Sequence, residues 1–274
     1  MPRLLLIALV VAWAAPAAAE GSAAPTAFTV EVTGKGPPVI LVPGLGCPAS
    51  VWDTTIAHLL GSREVHTITA AGFAGTASIG KPPVATVREQ LAAYIRDKKL
   101  ERPIVIGHSM GGFLALWLAE AEPELVGGVV VVDAGATMGG GDPAWEPVAR
   151  KQRDAYLAMP RTEFEATLRK RFSAMFGDPA KHEAIIAAVT RSDQKAYAAA
   201  YWELNTIDLR PQLGKIRAPV LAIFAASASH EYHRAQLKGI ARLDVVVVAK
   251  SKHFVMQDQP AEFFRALDAF LAKR

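Results

Sequence analysis

Cysteine is almost absent from this sequence: a lone Cys47 excludes an intramolecular disulfide and any zinc site built on several cysteines. A strong excess of one charge is missing as well. Thirty Lys and Arg stand against 26 Asp and Glu, a formal +4, and the short basic runs at 150–153 and 169–171 lie among acidic residues. Such runs read as solvated helix faces, so no nucleic-acid partner is expected. There is no internal repeat, no low-complexity linker beyond about residue 26, and no apolar run long enough to cross a hydrocarbon core of roughly 30 Å. What is plentiful is core-forming material. Hydrophobic residues make up 51% of 274 residues, which excludes a disordered or coiled-coil chain and suits one large domain or a core with an insertion.

Residues 1–19 read as an export signal rather than as part of the fold. Arg3 supplies a positive start, residues 4–15 form an apolar stretch, Pro16 ends it, and Ala17-Ala18-Ala19 offers a small-x-small cleavage site. The expectation is a mature chain beginning at Glu20, secreted or periplasmic, with no stable membrane insertion after cleavage.

From residue 26 onward, short β-branched runs alternate with helical patterns, the signature of an α/β fold with a mainly parallel sheet. Buried strands are expected at 39–42, 65–69, 104–106, 129–132, 220–224 and 245–248, most of them apolar on both faces. Residues 28–32 alternate instead, which predicts an antiparallel strand near the N-terminal edge. Between about 137 and 213 only helical patterns occur. Thr162-x-x-Glu165 has the form of a capping box, Asp178-Pro179 that of an N-cap followed by Pro, and Tyr197, Tyr201 and Leu204 share one helical stripe. A helical block between two strands of a parallel sheet is a candidate lid. The Gly139-Gly140-Gly141 run before it has no strand-to-helix junction and no Lys-Ser/Thr pair, so it predicts a flexible lead-in rather than a phosphate loop.

Three segments carry chemistry. The first is Gly107-His108-Ser109-Met110-Gly111-Gly112, between a β-branched strand and a strong helix former. A serine on such a turn needs close, small neighbours, and Gly107 and Gly111 supply them, leaving Ser109 exposed as a nucleophile at a helix N-terminus. The second is the Gly-rich loop Val42-Pro43-Gly44-Leu45-Gly46. The backbone amides of Leu45 and Met110 are the candidate oxyanion donors that acyl transfer requires. The third is Lys252-His253-Phe254, directly after the last expected strand, which makes His253 the candidate base. His58, His66 and His182 fall on helix or strand patterns without partners, and His108 faces the sheet interior. The pair His230 and His233 lacks a third ligand, so no metal is expected. Cys47 is off the elbow and reads as a small packed side chain.

These segments, with Ala71-Gly72-Phe73-Ala74-Gly75 and Gln259-Pro260, resemble the α/β-hydrolase superfamily over nearly everything from Phe28 to the C-terminus. The likeness is to its capped type, which includes lactonases, arylesterases, cofactor-free haloperoxidases and carbon–carbon bond hydrolases. The resemblance implies a mainly parallel sheet with helices on both faces and a core of residues 26–136 and 214–274. It also implies a helical cap, 137–213, between strands 6 and 7. It further implies a Ser…acid…His order along the chain, no cofactor, and an acyl-enzyme mechanism on a small-molecule acyl substrate. This sequence departs from the family at two places. Pro43-Gly44 stands where His-Gly is usual, and the loop after residues 220–224, where most members carry the acid, has Ser227 and Ala228 instead. Asp133, at the end of the preceding strand, is the candidate acid, with Glu231 as the alternative. Apolar residues of the cap, Trp145, Phe172, Met175 and Trp202, are expected to contact the substrate. The same residues could serve ester, lactone or carbon–carbon hydrolysis. The missing Asp leaves open a small-molecule binding protein with a vestigial triad.

Overall fold

Why the strands of this chain are nearly continuous in Val, Ile and Leu follows from their position, since a parallel strand covered on both faces has no solvent side to make polar. The computed structural model describes residues 27–227 and 229–274, and the expected export signal, with its cleavage site before Glu20, lies outside the described residues. The chain forms β1 (Phe28–Gly34), β2 (Pro38–Val42), α1 (Asp53–Leu59), β3 (Glu64–Ala70), α2 (Pro83–Asp97), β4 (Ile104–His108), α3 (Met110–Ala121) and β5 (Gly128–Val132). Then follow α4 (Glu146–Ala158), α5 (Arg161–Met175), α6 (Glu183–Thr190) and α7 (Gln194–Thr206) without an intervening strand. The chain closes with β6 (Val220–Ala225), α8 (His230–Gln236), β7 (Leu243–Val248), α9 (Val255–Asp258) and α10 (Pro260–Leu271).

Seven strands make one sheet in the order β1-β3-β2-β4-β5-β6-β7. Only β1 runs antiparallel, paired with β3 from Phe28↔Ala70 to Gly34↔Glu64. Strands β4, β5 and β6 are buried along their whole length. Their valines and isoleucines each contribute roughly 1.5–3 kcal/mol of burial. The helical block lies between the fifth and sixth strands of this sheet rather than the sixth and seventh, because a single antiparallel strand precedes the parallel set. Two local expectations also change. β7 is an edge strand with Val247 42% exposed, so its apolar run is only half covered. No capping box forms at Thr162: the N-cap of α5 is Pro160, two residues earlier, and Glu165 accepts from Arg161 Nε at 2.6 Å.

The order of strands reverses around β2, whose neighbours are β3 on one side and β4 on the other. Ligands of open α/β sheets bind beyond the carboxyl ends of the strands at such a reversal. The loops leaving β2 and β4 there are the ones that carry Leu45 and Ser109.

Candidate active site

Ser109 sits between β4 and α3 with φ 54° and ψ −117°, a conformation that costs a side-chain-bearing residue about 1–3 kcal/mol. Its surroundings leave little alternative. A Cβ on Gly107 would lie 2.0 Å from the Gly111 carbonyl oxygen, and one on Gly111 would lie 2.1 Å from that of Val42. The strand-to-helix turn closes this tightly only with glycine at both places. The Ser109 amide donates to the Val132 carbonyl at 2.9 Å, which anchors the turn to β5. The Ser109 side chain makes no capping hydrogen bond, so its hydroxyl remains available at the N-terminal end of α3.

Asp133 leaves β5 with φ +48° and is 6% exposed. Its amide donates to the Ile223 carbonyl at 2.9 Å, and its Oδ1 accepts from the Ala225 amide at 3.0 Å. The second oxygen, Oδ2, is 2.7 Å from His253 Nδ1. A buried carboxylate bonded through both oxygens orients the imidazole and places the proton on Nδ1, leaving Nε2 free as a base. Glu231 is elsewhere. It stands 68% exposed on α8, 3.1 Å from His230 and 3.8 Å from Arg234.

The loop bearing His253 is held from both sides. Asp258 accepts from the Lys252 amide at 2.7 Å and from the Gly177 amide, just beyond α5, at 2.9 Å. His108 Nε2 donates to the His253 carbonyl at 3.0 Å, while its Nδ1 is buried without a partner. Burial, reinforced by the neighbouring His253, holds His108 well below the ordinary histidine range, so it is a neutral brace.

Ser109, His253 and Leu45 line one cavity of about 110 Å³. A Cβ on Gly44 would lie 3.4 Å from Ser109 Cβ, a measure of how closely the β2 loop approaches the elbow. Neither the Leu45 nor the Met110 amide donates to a backbone acceptor among the described residues. Of the residues expected to contact substrate, Phe172 and Met175 line this cavity. Trp145 and Trp202 do not. Trp145 is turned to donate its ring N–H to Asn205 Oδ1 at 3.0 Å, and Trp202 packs under the guanidinium groups of Arg150 and Arg153, 5.1 and 4.7 Å from its ring. Both aromatics satisfy neighbours within the helical block.

Arg171 and Tyr197 also line the cavity and were not anticipated from the sequence. The signal existed for Tyr197, on the stripe with Tyr201 and Leu204. Cys47 lies at the cavity too, but burial pushes its thiol up to about 12, so it is no nucleophile. Among the described residues no group of three His, Cys, Asp or Glu side chains could hold a metal, the pair His230 and His233 included. A wider hollow of about 630 Å³ opens on α4 beside Arg150, Lys151 and Asp154, and none of its lining residues belongs to the serine–histidine cluster.

Residues 39–266 match the model of the Alpha/beta hydrolase family. Among proteins of assigned activity, the chain is 24% identical to the pimeloyl-[acyl-carrier protein] methyl ester esterase of Aliivibrio fischeri over 243 residues, 86% of each chain. Among solved structures it superposes on the enol-lactonase of Burkholderia xenovorans with a TM-score of 0.75 at 21% identity, covering 89% of this chain and 96% of that one. The bromoperoxidase of Bacillus anthracis gives a TM-score of 0.80 at 19% identity, covering 89% and 95%.

Proposed function

Because the chain belongs to the alpha/beta hydrolase family, we propose that it is a serine hydrolase of carboxylic esters or related small acyl compounds, working through Ser109, His253 and Asp133. The observation that carries this reading is the 2.7 Å contact between His253 Nδ1 and Asp133 Oδ2, beside a cavity that also holds the strained Ser109. The loop after β6 lacks an acid, the feature that favoured a binding protein. With a carboxylate reaching the same histidine from β5, that argument loses its force. The relatives named for ester and lactone cleavage support the same class of chemistry.

His253 Nε2 takes the Ser109 proton as the hydroxyl oxygen attacks the acyl carbonyl, and the negative charge that develops is met by the Leu45 and Met110 amides. Loss of one such donor typically costs about 3 kcal/mol of transition-state stabilisation. The imidazolium then protonates the leaving alcohol, and an acyl-Ser109 remains. Water, deprotonated by His253, attacks that acyl group, and Ser109 leaves with the returned proton. Asp133 holds the Nδ1–H tautomer and stabilises the imidazolium in both halves. No step in this scheme uses a metal, so EDTA should leave turnover unchanged, and a loss restored by zinc would bring His230 and His233 back into question.

Residues 137–213 act as a cap in this scheme. Phe172 and Met175 of α5 close over the acyl group and favour modest, largely apolar substrates. Export of the mature chain, starting at Glu20, rests on the pattern of residues 1–19.

The test is a panel of esters, lactones and thioesters with wild type and Ser109→Ala, alongside fluorophosphonate labelling. Wild type should turn over at least one class and be labelled, and Ser109→Ala should do neither while staying folded. Equal labelling of the two proteins would remove Ser109 from the role.

A further inference from the structure

Among the described residues that line the Ser109 cavity, Arg171 is the one permanently charged side chain. Most arginines of the helical block are treated differently, the exposed Arg191, which bonds the Ala187 carbonyl, excepted. Arg150, Arg153, Arg161, Arg169 and Arg210 each meet a carboxylate within 2.9 Å. Arg171 meets none. Its one hydrogen bond among the described residues runs from a terminal nitrogen to the Tyr156 hydroxyl at 2.9 Å, and the tyrosines Tyr197 and Tyr201 also lie around it. A guanidinium carries five N–H donors, and on the half-buried Arg171 one of them is engaged within the protein, which leaves the rest of its fork for an anion.

A second observation points at the same spot from the facing helix. Tyr197 is fully buried, lines the cavity, and its hydroxyl has no hydrogen-bond partner. A buried hydroxyl left without an acceptor is costly, so an orphan at a ligand cavity is a mark of the ligand. Arg171 on α5 and Tyr197 on α7 thus bring unspent donors to one wall, with Phe172 and Met175 supplying the apolar surface beside them.

From this juxtaposition we infer that Arg171 and Tyr197 form an anion subsite, and that the substrate is an ester or lactone bearing a carboxylate away from the reacting carbonyl. This rests on the hydrolase reading for the position of the reacting group. A carboxylate fits better than a phosphate because a single arginine lines the cavity, and one positive charge balances one negative charge. Bidentate acceptance by the Arg171 fork would fix orientation as well as affinity. Tyr197 would donate as a neutral hydroxyl, since burial raises it far above the usual phenol range and only Arg171 opposes that shift among its leading causes.

Monomethyl and dimethyl esters of succinic, glutaric and adipic acid test this directly, because within each pair only the charge differs greatly. Binding is measured by titration calorimetry on Ser109→Ala protein, so that it does not depend on turnover. The monomethyl ester of the best-fitting acid should bind about tenfold or more tightly than its diester, the scale of a charge-assisted hydrogen bond. In a protein also carrying Arg171→Met that preference should fall to about twofold or less. Tyr197→Phe, which deletes one oxygen without a partner, should lower the preference severalfold. It decides the matter should Arg171→Met fail to fold. No monoester preference at any of the three lengths, or a preference that survives the substitution tested, overturns the subsite. Hydrolysis by the wild type separates the two readings. Arg171-dependent binding without turnover leaves the subsite standing and sinks the hydrolase; equal turnover of monoester and diester at Ser109 does the reverse.

Discussion

The strand-end loops and the helical block, the latter through α5 and α7, both line one cavity and are held in place by different means. At the strand ends the reactive groups are positioned by main chain: Ser109 by a strained turn closed on Gly107 and Gly111, Asp133 by a positive φ and two backbone hydrogen bonds. In the helical block the wall is positioned by side chains packing on side chains. Tyr156 lies edge-on to Phe164, Tyr197 and Tyr201 at 6.1, 5.4 and 5.4 Å between ring centroids. A main-chain device tolerates few residue types, whereas a packed wall tolerates many of similar volume. Under the proposed function, chemistry sits on the first and selectivity on the second.

Breaking the strand-end wall should have the largest effect. Asp133→Asn should lower kcat by about 10⁴, the scale of a histidine held in the wrong tautomer. Glu231→Gln should change it by less than about tenfold. A dead Glu231→Gln beside an active Asp133→Asn would move the acid to α8. Next in size is the turn itself. Gly111→Ala drives a methyl group into the Val42 carbonyl and should cost about 3 kcal/mol in urea denaturation, or fail to fold. Gly61→Ala, where nothing lies within 4 Å, should stay within about 0.5 kcal/mol of wild type.

The helical wall should respond in KM rather than in chemistry. Met175→Ala should raise KM about tenfold on the best ester with kcat little changed, by loss of apolar contact worth about 1.4 kcal/mol. Trp202→Ala should leave KM within about twofold, and the opposite ranking would mean that the cavity reaches the outer face of α4.

The smallest effect sharpens the comparison by pH. Burial holds His108, at the strand ends, and His233, on α8, below the ordinary histidine range, the nearby Asp133 working against this at His233. Below about pH 6.5 the unfolded chain then binds more protons than the native one, so stability is full above that pH and is lost as pH falls. For His108 the loss should be at most about 1 kcal/mol between pH 6.5 and 5.5, read from urea midpoints. His108→Asn should flatten the slope. An unchanged slope would shift the titration to other histidines, including His182 in the helical block, which burial also lowers.

Much of the first wall was legible in the residues. The expected strands all form, each longer by a residue or two, and Ser109 and His253 occupy the loops expected of them. Asp133 could be preferred over Glu231 because a residue at a strand end is fixed by the strand, while one inside α8 is free to face water. At the second wall Trp145 and Trp202 do not line the cavity, since a large aromatic on a helical stripe looks alike whether it faces a pocket or a neighbouring helix. Val247 shows the same limit in the sheet: an apolar run cannot tell a covered strand from an edge.

By itself the sequence determined the period of each segment and the glycines without which the Ser109 turn cannot close. These are local properties, set by sterics within a few residues. Only the tertiary structure decided which carboxylate meets His253, which helix faces form the cavity, and that Arg171 reaches it without a carboxylate of its own. Those are meetings between residues far apart in the chain, and their energies depend on what each side chain finds when the elements pack.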